Sequence, residues 1–315
     1  MSKNKLAFIF PGQGSQKVGM LAEAGDRYSI VKTTFIEASD VVGYDMWKLV
    51  QNGEQEQLNL TETTQPVLLT ASVALWRAWI EQGGLNPGVM AGHSLGEFSA
   101  LVCAGALNFS EAVRLVKMRG AFMQTAVPAG EGAMAAIIGL KDEAINTICT
   151  EVATASLQSV AAVNFNSPGQ VVIAGHLAAV EQAGAACKEA GAKRAILLPV
   201  SAPFHTDLMR PAGEKLAEVI AEIEIKIPII PVIQNVNGKV ESDPTKIRDL
   251  LVEQIYSPVQ WVSCMQCMAK RGAMYIVECG PGKVLSGLNR RIDRSFESFN
   301  IEAPQGLASA LESLK

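Results

Sequence analysis

The stretch PGVMAGHSLGEFSALVCAGAL at 87–107 constrains the fold of this chain more than any other. Its order predicts a buried strand, a sharp turn and then a helix. The turn has the pattern GxSxG, in which glycines let a strand pass abruptly into a helix and leave the serine hydroxyl exposed. Ser94 would then be a nucleophile, with the Leu95 N–H in an oxyanion hole. The alternative is a glycine-rich turn whose serine only caps the helix that follows.

The order of elements predicts an α/β fold built from two units. Residues 129–200 show strand, helix, two strands, helix and strand, which is the ferredoxin-like βαββαβ order. The strands and helices on either side of them are typical of a hydrolase-like large domain with a mainly parallel sheet, formed by residues 1–128 and 201–315. The small unit is therefore expected to be inserted into the large one, with a ligand cleft between them.

Composition and charge exclude several classes of protein. The net charge of −4 argues against nucleic-acid binding, because phosphate contacts need a surplus of Lys and Arg. The apolar run LAFIF is too short for a signal peptide, and no stretch is long enough to span a membrane. Six scattered cysteines include one CxxC, at Cys264 and Cys267, without the second ligand pair of a zinc site. We expect a cytoplasmic protein with no membrane contact and no metal.

A serine nucleophile needs a base, and the chain has three histidines. His93 adjoins Ser94, where neighbouring side chains diverge, and His176 begins a helix of the small unit. His205 follows a strand of the large unit and comes after the serine in the chain, as in α/β hydrolases. We therefore predict that His205 is the base. No Asp or Glu has the setting of a third triad member, so a main-chain or amide oxygen could orient the imidazole instead.

Arg119 is the arginine most suggestive of binding. On a predicted helix over 111–124 its neighbours three and four residues away are all apolar, whereas those of Arg114 are mostly polar. A guanidinium on the core side needs an anionic partner. That partner is either an internal carboxylate or the carboxylate of a dicarboxylic acyl substrate, held bidentately.

Two glycine-rich segments do not carry nucleotide chemistry. PGQGSQ lacks the third glycine of GxGxxG because position 17 is Lys17, and GPGKV at 280–284 lacks the earlier glycine of a P-loop.

Eight segments together resemble the malonyl-CoA:acyl carrier protein transacylases of bacterial fatty-acid synthesis and the related acyltransferase domains of polyketide synthases. They are FIFPGQGSQ (8–16), TQPVLLT (64–70), GHSLGE (92–97), KMRG (117–120), NFNSPGQ (164–170), APFH (202–205), YSPVQW (256–261) and ECGPGKVL (278–285). They span nearly the whole chain, and their order is far more specific than GxSxG alone.

The resemblance implies a role for each site residue. Ser94 would carry the malonyl group as an ester, His205 would activate it, and Arg119 would pair with the malonyl carboxylate. The N–H groups of Gln13 and Leu95 would form the oxyanion hole. The main-chain carbonyl that steadies the histidine would belong to Gln254.

Two further residues are expected at the substrate. Phe204 resembles the ring that, in malonyl-selective polyketide acyltransferases, crowds the position of a methyl branch, although many fatty-acid transacylases carry a small residue there. Asn166, in NFNSPGQ, joins the predicted substrate-binding set.

The resemblance also implies the reaction and its partners. The malonyl group would pass from malonyl-CoA to the phosphopantetheine thiol of acyl carrier protein, for fatty-acid elongation. We also expect a monomer that needs no cofactor. Lys283, Arg290 and Arg291 could form a basic patch for the acidic carrier protein. A discrete polyketide acyltransferase, a serine thioesterase or esterase, and a noncatalytic acyl-CoA-binding protein are the alternatives.

Overall fold

The structure is a computed structural model that describes residues 5–200 and 202–314. Residues 1–4, 201 and 315, which belong to the predicted large domain, lie outside the described residues. Ten strands are found in the described part: β1 (Leu6–Phe10), β2 (Val89–Gly92), β3 (Gly132–Ile138), β4 (Val160–Ser167), β5 (Gln170–His176), β6 (Arg194–Leu197), β7 (Val232–Ile233), β8 (Val240–Glu241), β9 (Tyr275–Glu278) and β10 (Glu297–Asn300).

Fourteen α-helices accompany these strands in the same residues. They are α1 (Ala22–Arg27), α2 (Ser29–Val42), α3 (Met46–Asn52), α4 (Gln55–Asn59), α5 (Thr61–Glu81), α6 (Leu95–Cys103), α7 (Phe109–Thr125), α8 (Asp142–Ser156), α9 (Leu177–Glu189), α10 (Arg210–Ala221), α11 (Pro244–Glu253), α12 (Trp261–Lys270), α13 (Val284–Ile292) and α14 (Pro304–Ser313). A short 3-10 helix over Asp207–Met209 precedes α10.

The larger sheet has the strand order β10-β9-β1-β2-β7-β8. Its neighbouring strands run parallel except for β7 and β8. This arrangement confirms the predicted mainly parallel sheet. Its central strand β1 is buried along its whole length, as expected for a parallel sheet covered on both faces.

Side chains of β1 alternate between two cores. Phe8 packs edge-on against Trp76 and Trp79 of α5, at centroid distances of 5.1 and 5.3 Å. Ile9 points to the opposite face, where its core includes Trp261 of α12. The period of two in LAFIF therefore places helices on both sides of the sheet.

The smaller sheet is antiparallel and has the order β4-β5-β3-β6. In the chain its elements follow the order β3-α8-β4-β5-α9-β6, which confirms the predicted ferredoxin-like βαββαβ unit. All four strands fall within the range 129–200 assigned to the insertion. The domain boundaries themselves stay a prediction.

The register of the larger sheet brings two loops together at its carboxyl edge. Phe10 at the end of β1 pairs with Gly92 at the end of β2, and the Phe10 carbonyl oxygen accepts the N–H of His93 at 3.0 Å. The PGQG loop and the GHSLG turn therefore begin side by side, at the edge where open α/β sheets place their sites. Among the residues described, the structure contains no helix with the length and apolar character that a membrane span requires.

Candidate active site

The turn between β2 and α6 is possible only because two of its residues are glycine. A Cβ atom on Gly96 would lie 2.1 Å from the Phe10 carbonyl oxygen, and one on Gly92 would lie 1.8 Å from the Gly96 carbonyl carbon. Ser94 between them has φ 51° and ψ −109°, a strained conformation for a residue with a side chain. Its hydroxyl makes no capping hydrogen bond to α6, so the capping alternative is wrong.

The Ser94 hydroxyl faces a buried imidazole. Its Oγ lies 2.9 Å from Nε2 of His205, whose Nδ1 lies 2.8 Å from the Gln254 carbonyl oxygen. Since a carbonyl can only accept, Nδ1 carries the proton and Nε2 is free to accept one from Ser94. Burial, followed by the nearby Arg119 cation, lowers the pKa of His205 to about 3. The imidazole is therefore neutral at neutral pH, as a base must be.

Neither of the other two histidines is hydrogen-bonded to Ser94 in the described residues, although His93 lines the cavity that contains Ser94. Nε2 of His93 is hydrogen-bonded to Oδ1 of Asn166 at 2.8 Å. The His176 Nδ1 accepts the N–H of Ser159 at 3.0 Å, which fixes the start of α9 against the small sheet.

Arg119 of α7 points into the core toward the nucleophile, whereas Arg114 on the same helix is exposed, as predicted. The Arg119 guanidinium donates to Gln65 Oε1 at 2.7 Å, to Gln254 Oε1 at 2.8 Å and to Ser94 Oγ at 3.3 Å.

The partners of Arg119 are all neutral. None of the ion pairs within residues 5–200 and 202–314 involves it, and its Nε atom has no hydrogen-bond acceptor there. Burial lowers the pKa of Arg119 to about 9, which leaves the side chain cationic at neutral pH. The site therefore holds a buried positive charge that no carboxylate of the described residues contacts directly, and Glu97 acts on it only at longer range.

Two backbone N–H groups at the carboxyl edge are available to an oxyanion. Those of Gln13 and Leu95 donate no hydrogen bond within the described chain, and both residues line the cavity that contains Ser94. The Leu95 N–H is the first of α6, where the helix dipole adds partial positive charge. The arrangement fits the oxyanion hole that the resemblance implies for these two residues.

The cavity above Ser94 has a volume of about 120 Å³ and lies between the two sheets. The large unit contributes Met123 of α7 and Phe204, and the small unit contributes Met134 of β3 and Asn164 of β4. Leu198 and Val200, which follow β6, complete its apolar wall. The ligand cleft expected between the units is thus present and reaches the nucleophile.

Asn166 is placed differently from the other predicted residues. It is not among the residues that line this cavity; its side-chain oxygen lies against His93, and Asn164 lines the cavity instead. The substrate-binding role of Asn166 stays a prediction.

Sequence reasoning missed three polar residues of the site. Gln65 contacts Arg119, and its segment TQPVLLT is part of the resemblance. Glu97 and Asn235 are fully buried beside the turn, and the Asn235 side chain accepts the Ser94 N–H at 2.7 Å. Asn235 lies two residues beyond the end of β7 in the large sheet, and no motif of the sequence marks it.

Comparisons with known proteins agree with this geometry. The family model of the acyl transferase domain matches residues 7–299. A malonyl CoA-acyl carrier protein transacylase of Salmonella typhimurium is 58% identical over 307 residues, which cover 98% of this chain and 99% of the relative. A protein of the same name from Bacillus subtilis is 45% identical over 312 residues, covering 99% and 98%.

Solved structures give the same result. An acyl carrier protein S-malonyltransferase from Vibrio cholerae has 56% identity and a TM-score of 0.95, covering 97% of this chain and 99% of that one. A malonyl-transacylase in complex with its type II PKS acyl-carrier protein has 53% identity and a TM-score of 0.96, covering 98% and 99%. The fold expected from the sequence is therefore confirmed.

Proposed function

This chain belongs to the acyl transferase domain family, and we propose that it transfers the malonyl group of malonyl-CoA to the phosphopantetheine thiol of acyl carrier protein. The transfer proceeds through an ester on Ser94. The relatives are named for this activity, and the site supplies a nucleophile, a neutral base and two free N–H donors.

The observation that carries the substrate assignment is the unpaired cation at the nucleophile. Arg119 is 1% exposed, and one of its Nη atoms lies 3.3 Å from Ser94 Oγ. An acyl group with a terminal carboxylate would place that carboxylate on the guanidinium while its thioester carbon meets the serine. An acetyl group would leave the cation without an anion, which costs free energy in a buried site.

In the first half-reaction, His205 Nε2 accepts the Ser94 hydroxyl proton as Oγ attacks the thioester carbonyl carbon. The carbonyl oxygen becomes an oxyanion held by the N–H groups of Gln13 and Leu95. When the carbon–sulfur bond breaks, coenzyme A leaves as a thiol with the proton from His205. The malonyl ester of Ser94 remains.

The second half-reaction reverses these steps with a different thiol. The phosphopantetheine thiol gives its proton to His205 Nε2 and attacks the ester carbon through the same oxyanion position. The Ser94 oxygen then leaves and recovers the proton. Since the side chains and backbone supply nucleophile, base and charge stabilisation, we propose that the reaction needs no cofactor.

The test is the intact mass of the purified protein with malonyl-CoA alone, followed by addition of phosphopantetheinylated carrier protein. A malonyl adduct on Ser94 that persists and clears only when the carrier is added establishes the transferase. Rapid release of free malonate without the carrier would instead identify a thioesterase. No adduct would exclude Ser94 as the nucleophile.

We propose that the carrier protein docks beside α13. Lys283, Arg290 and Arg291 are exposed on or next to this helix, and Arg291 reaches Gln170 of the small sheet at 2.6 Å. The patch thus lies at the junction of the two units, and its positive charge suits an acidic partner. Replacing all three residues with Ala should slow transfer to the carrier and leave Ser94 malonylation unchanged.

We assign the reaction to fatty-acid elongation, with a polyketide pathway as the alternative. Loss of fatty-acid synthesis on depletion of the protein would support this assignment. We further propose a cytoplasmic monomer: the six cysteines are all free, as expected in a reducing compartment, and sedimentation would report the oligomeric state.

A further inference from the structure

We propose that Glu97 is a positioning residue that aligns both the nucleophile and the base through one of its carboxylate oxygens. Oε2 accepts the Asn235 N–H and the Gln254 Nε2–H, each at 2.8 Å. Each donor residue in turn holds one half of the Ser94–His205 pair. This inference rests on the acyl transfer proposed above.

On the nucleophile side, Asn235 fixes the strained turn. Its Oδ1 accepts the Ser94 N–H, and its Nδ2 donates to the Gly92 carbonyl oxygen, both at 2.7 Å. These bonds hold the backbone immediately before the Cα atom of Ser94, whose φ is 51°. A strained backbone persists only where its surroundings determine it, so the position of Asn235 sets the position of Ser94 Oγ.

On the base side, Gln254 bonds to three parts of the site. Its carbonyl oxygen accepts from His205, its Oε1 accepts from Arg119, and its Nε2 also donates to the Ser94 carbonyl oxygen at 3.2 Å. Glu97 is the second acceptor of Nε2 and so fixes the rotation of the side-chain amide. If the Gln254 amide turned, the Arg119 guanidinium would lose its Oε1 acceptor and the Ser94 carbonyl oxygen would lose its Nε2 donor, next to the main-chain carbonyl that holds His205.

Only one of the two carboxylate oxygens of Glu97 takes part in these hydrogen bonds. Glu97 is fully buried, yet its Oε1 has no hydrogen-bond partner in the described part of the chain. A buried anion normally has both oxygens satisfied. Burial also raises the pKa of Glu97 to about 7. A glutamine at this position keeps an acceptor oxygen for Asn235 and Gln254, and its NH₂ group occupies the place of the unpartnered oxygen.

The experiment compares Glu97→Gln with Glu97→Asp. Glutamine removes the ionisable carboxyl and preserves the oxygen position, whereas aspartate keeps the carboxyl but withdraws it by one methylene. We expect Glu97→Asp to lower kcat about 100-fold, the cost of a misplacement of about an ångström. The KM for malonyl-CoA should rise as well, because the Gln254 amide that Glu97 holds also accepts from Arg119. The glutamine variant should keep most of the wild-type kcat.

A second readout avoids the substrate. Phenylmethanesulfonyl fluoride reports the reactivity of Ser94 without a malonyl group, and its rate of labelling should fall in Glu97→Asp and recover in Glu97→Gln. Leu101→Ala, a buried change on the same helix, is the control: it should lower the unfolding temperature and leave the labelling rate unchanged.

The possible outcomes separate the two proposals. An active aspartate variant with an inactive glutamine variant would show that charge matters and overturn the inference. Equal loss in Leu101→Ala would overturn it as an effect of packing. In a third outcome, the labelling rates of the wild type and of the two Glu97 variants are as expected, but the wild type forms no malonyl adduct. The proposed substrate would then be wrong, and the positioning role of Glu97 would be supported.

Discussion

The main-chain carbonyl oxygen of Gln254 lies 2.8 Å from His205 Nδ1, where a Ser-His-Asp triad has a carboxylate. A carboxylate there would lie close to Arg119 and compete for its charge. A neutral carbonyl orients the imidazole and leaves the guanidinium available for the substrate. Asp207, the acid nearest to His205 in sequence, instead pairs with Arg210 at the surface at 2.7 Å.

Ser94→Ala should abolish the malonyl adduct and lower kcat at least about 1,000-fold, as removal of a catalytic serine does in other enzymes. Intact mass and steady-state transfer measure the two effects. Ser99→Ala is the matched control, because Ser99 is a buried serine on α6, the helix that follows Ser94, and its hydroxyl has no partner in the described residues. An adduct on the Ser94→Ala variant would place the nucleophile elsewhere.

The acid limb of the pH profile should lie well below pH 6. Because burial lowers the pKa of His205 to about 3, the imidazole stays neutral at pH 5.5. We expect the rate constant for labelling by phenylmethanesulfonyl fluoride at pH 5.5 to be within about twofold of its value at pH 7.5. A histidine with an ordinary pKa of about 6.5 would lose about tenfold, and such a loss would contradict the prediction.

The lowered pKa of His205 also makes the free energy of unfolding decrease as the pH falls. The pKa of His205 is lower in the folded state than in the unfolded state, so the unfolded state binds the proton first as the pH falls. The His205 contribution to the free energy of unfolding is present above about pH 6.5 and is lost progressively toward pH 3. Urea titrations of the wild type and His205→Gln across this range should diverge at low pH.

The sequence predicted those parts of the site that local patterns encode. The turn around Ser94 follows from its two glycines, and the core-facing position of Arg119 follows from helical periodicity. The small unit also follows, because its strands and helices alternate with clear turns. These features need no knowledge of distant contacts.

The missed features depend on long-range packing. Helix α5 is buried on nearly every side, so it has no polar stripe to mark its period. Asn235 lies 141 residues after Ser94 in the chain, and its role appears only when β7 pairs beside β2. Glu97 looks like an ordinary first-turn acid until Gln254 is placed against it.

Arg119→Ala should lower kcat/KM for malonyl-CoA about 100-fold, the order expected when one partner of a buried charge pair is removed. The kcat/KM for acetyl-CoA should rise relative to that for malonyl-CoA, because binding of an acetyl group no longer leaves a buried cation without an anion. The control is Arg114→Ala on the same helix, which is exposed and should change neither rate. Unchanged malonyl transfer in Arg119→Ala would remove this residue from substrate binding.

Phe204 should make the site selective against a methyl branch. Its ring lines the cavity beside His205 and is only 8% exposed, so an added methyl group has little room. We expect methylmalonyl transfer to be at least about tenfold slower than malonyl transfer, in line with the cost of one excess methyl group. Competition between the two CoA esters measures the ratio of malonyl to methylmalonyl transfer, and Phe204→Ser should lower this ratio. Equal rates in the wild type would contradict the role of the ring.

Gly96→Ala tests whether the close approach of α6 to β1 holds the nucleophile in place. The new Cβ would lie 2.1 Å from the Phe10 carbonyl oxygen, and backbone on both sides leaves no flexible atom to give way. We expect a loss of about 3 kcal/mol in the free energy of unfolding, at the upper end for overpacking, together with loss of Ser94 labelling.

Gly287→Ala in α13 is the matched control, because no atom lies within 4 Å of its new Cβ. Alanine is the better helix former, so this variant should gain up to about 1 kcal/mol. Calorimetry and sulfonyl fluoride labelling check both variants, and a stable, reactive Gly96→Ala protein would show that the turn does not depend on this contact.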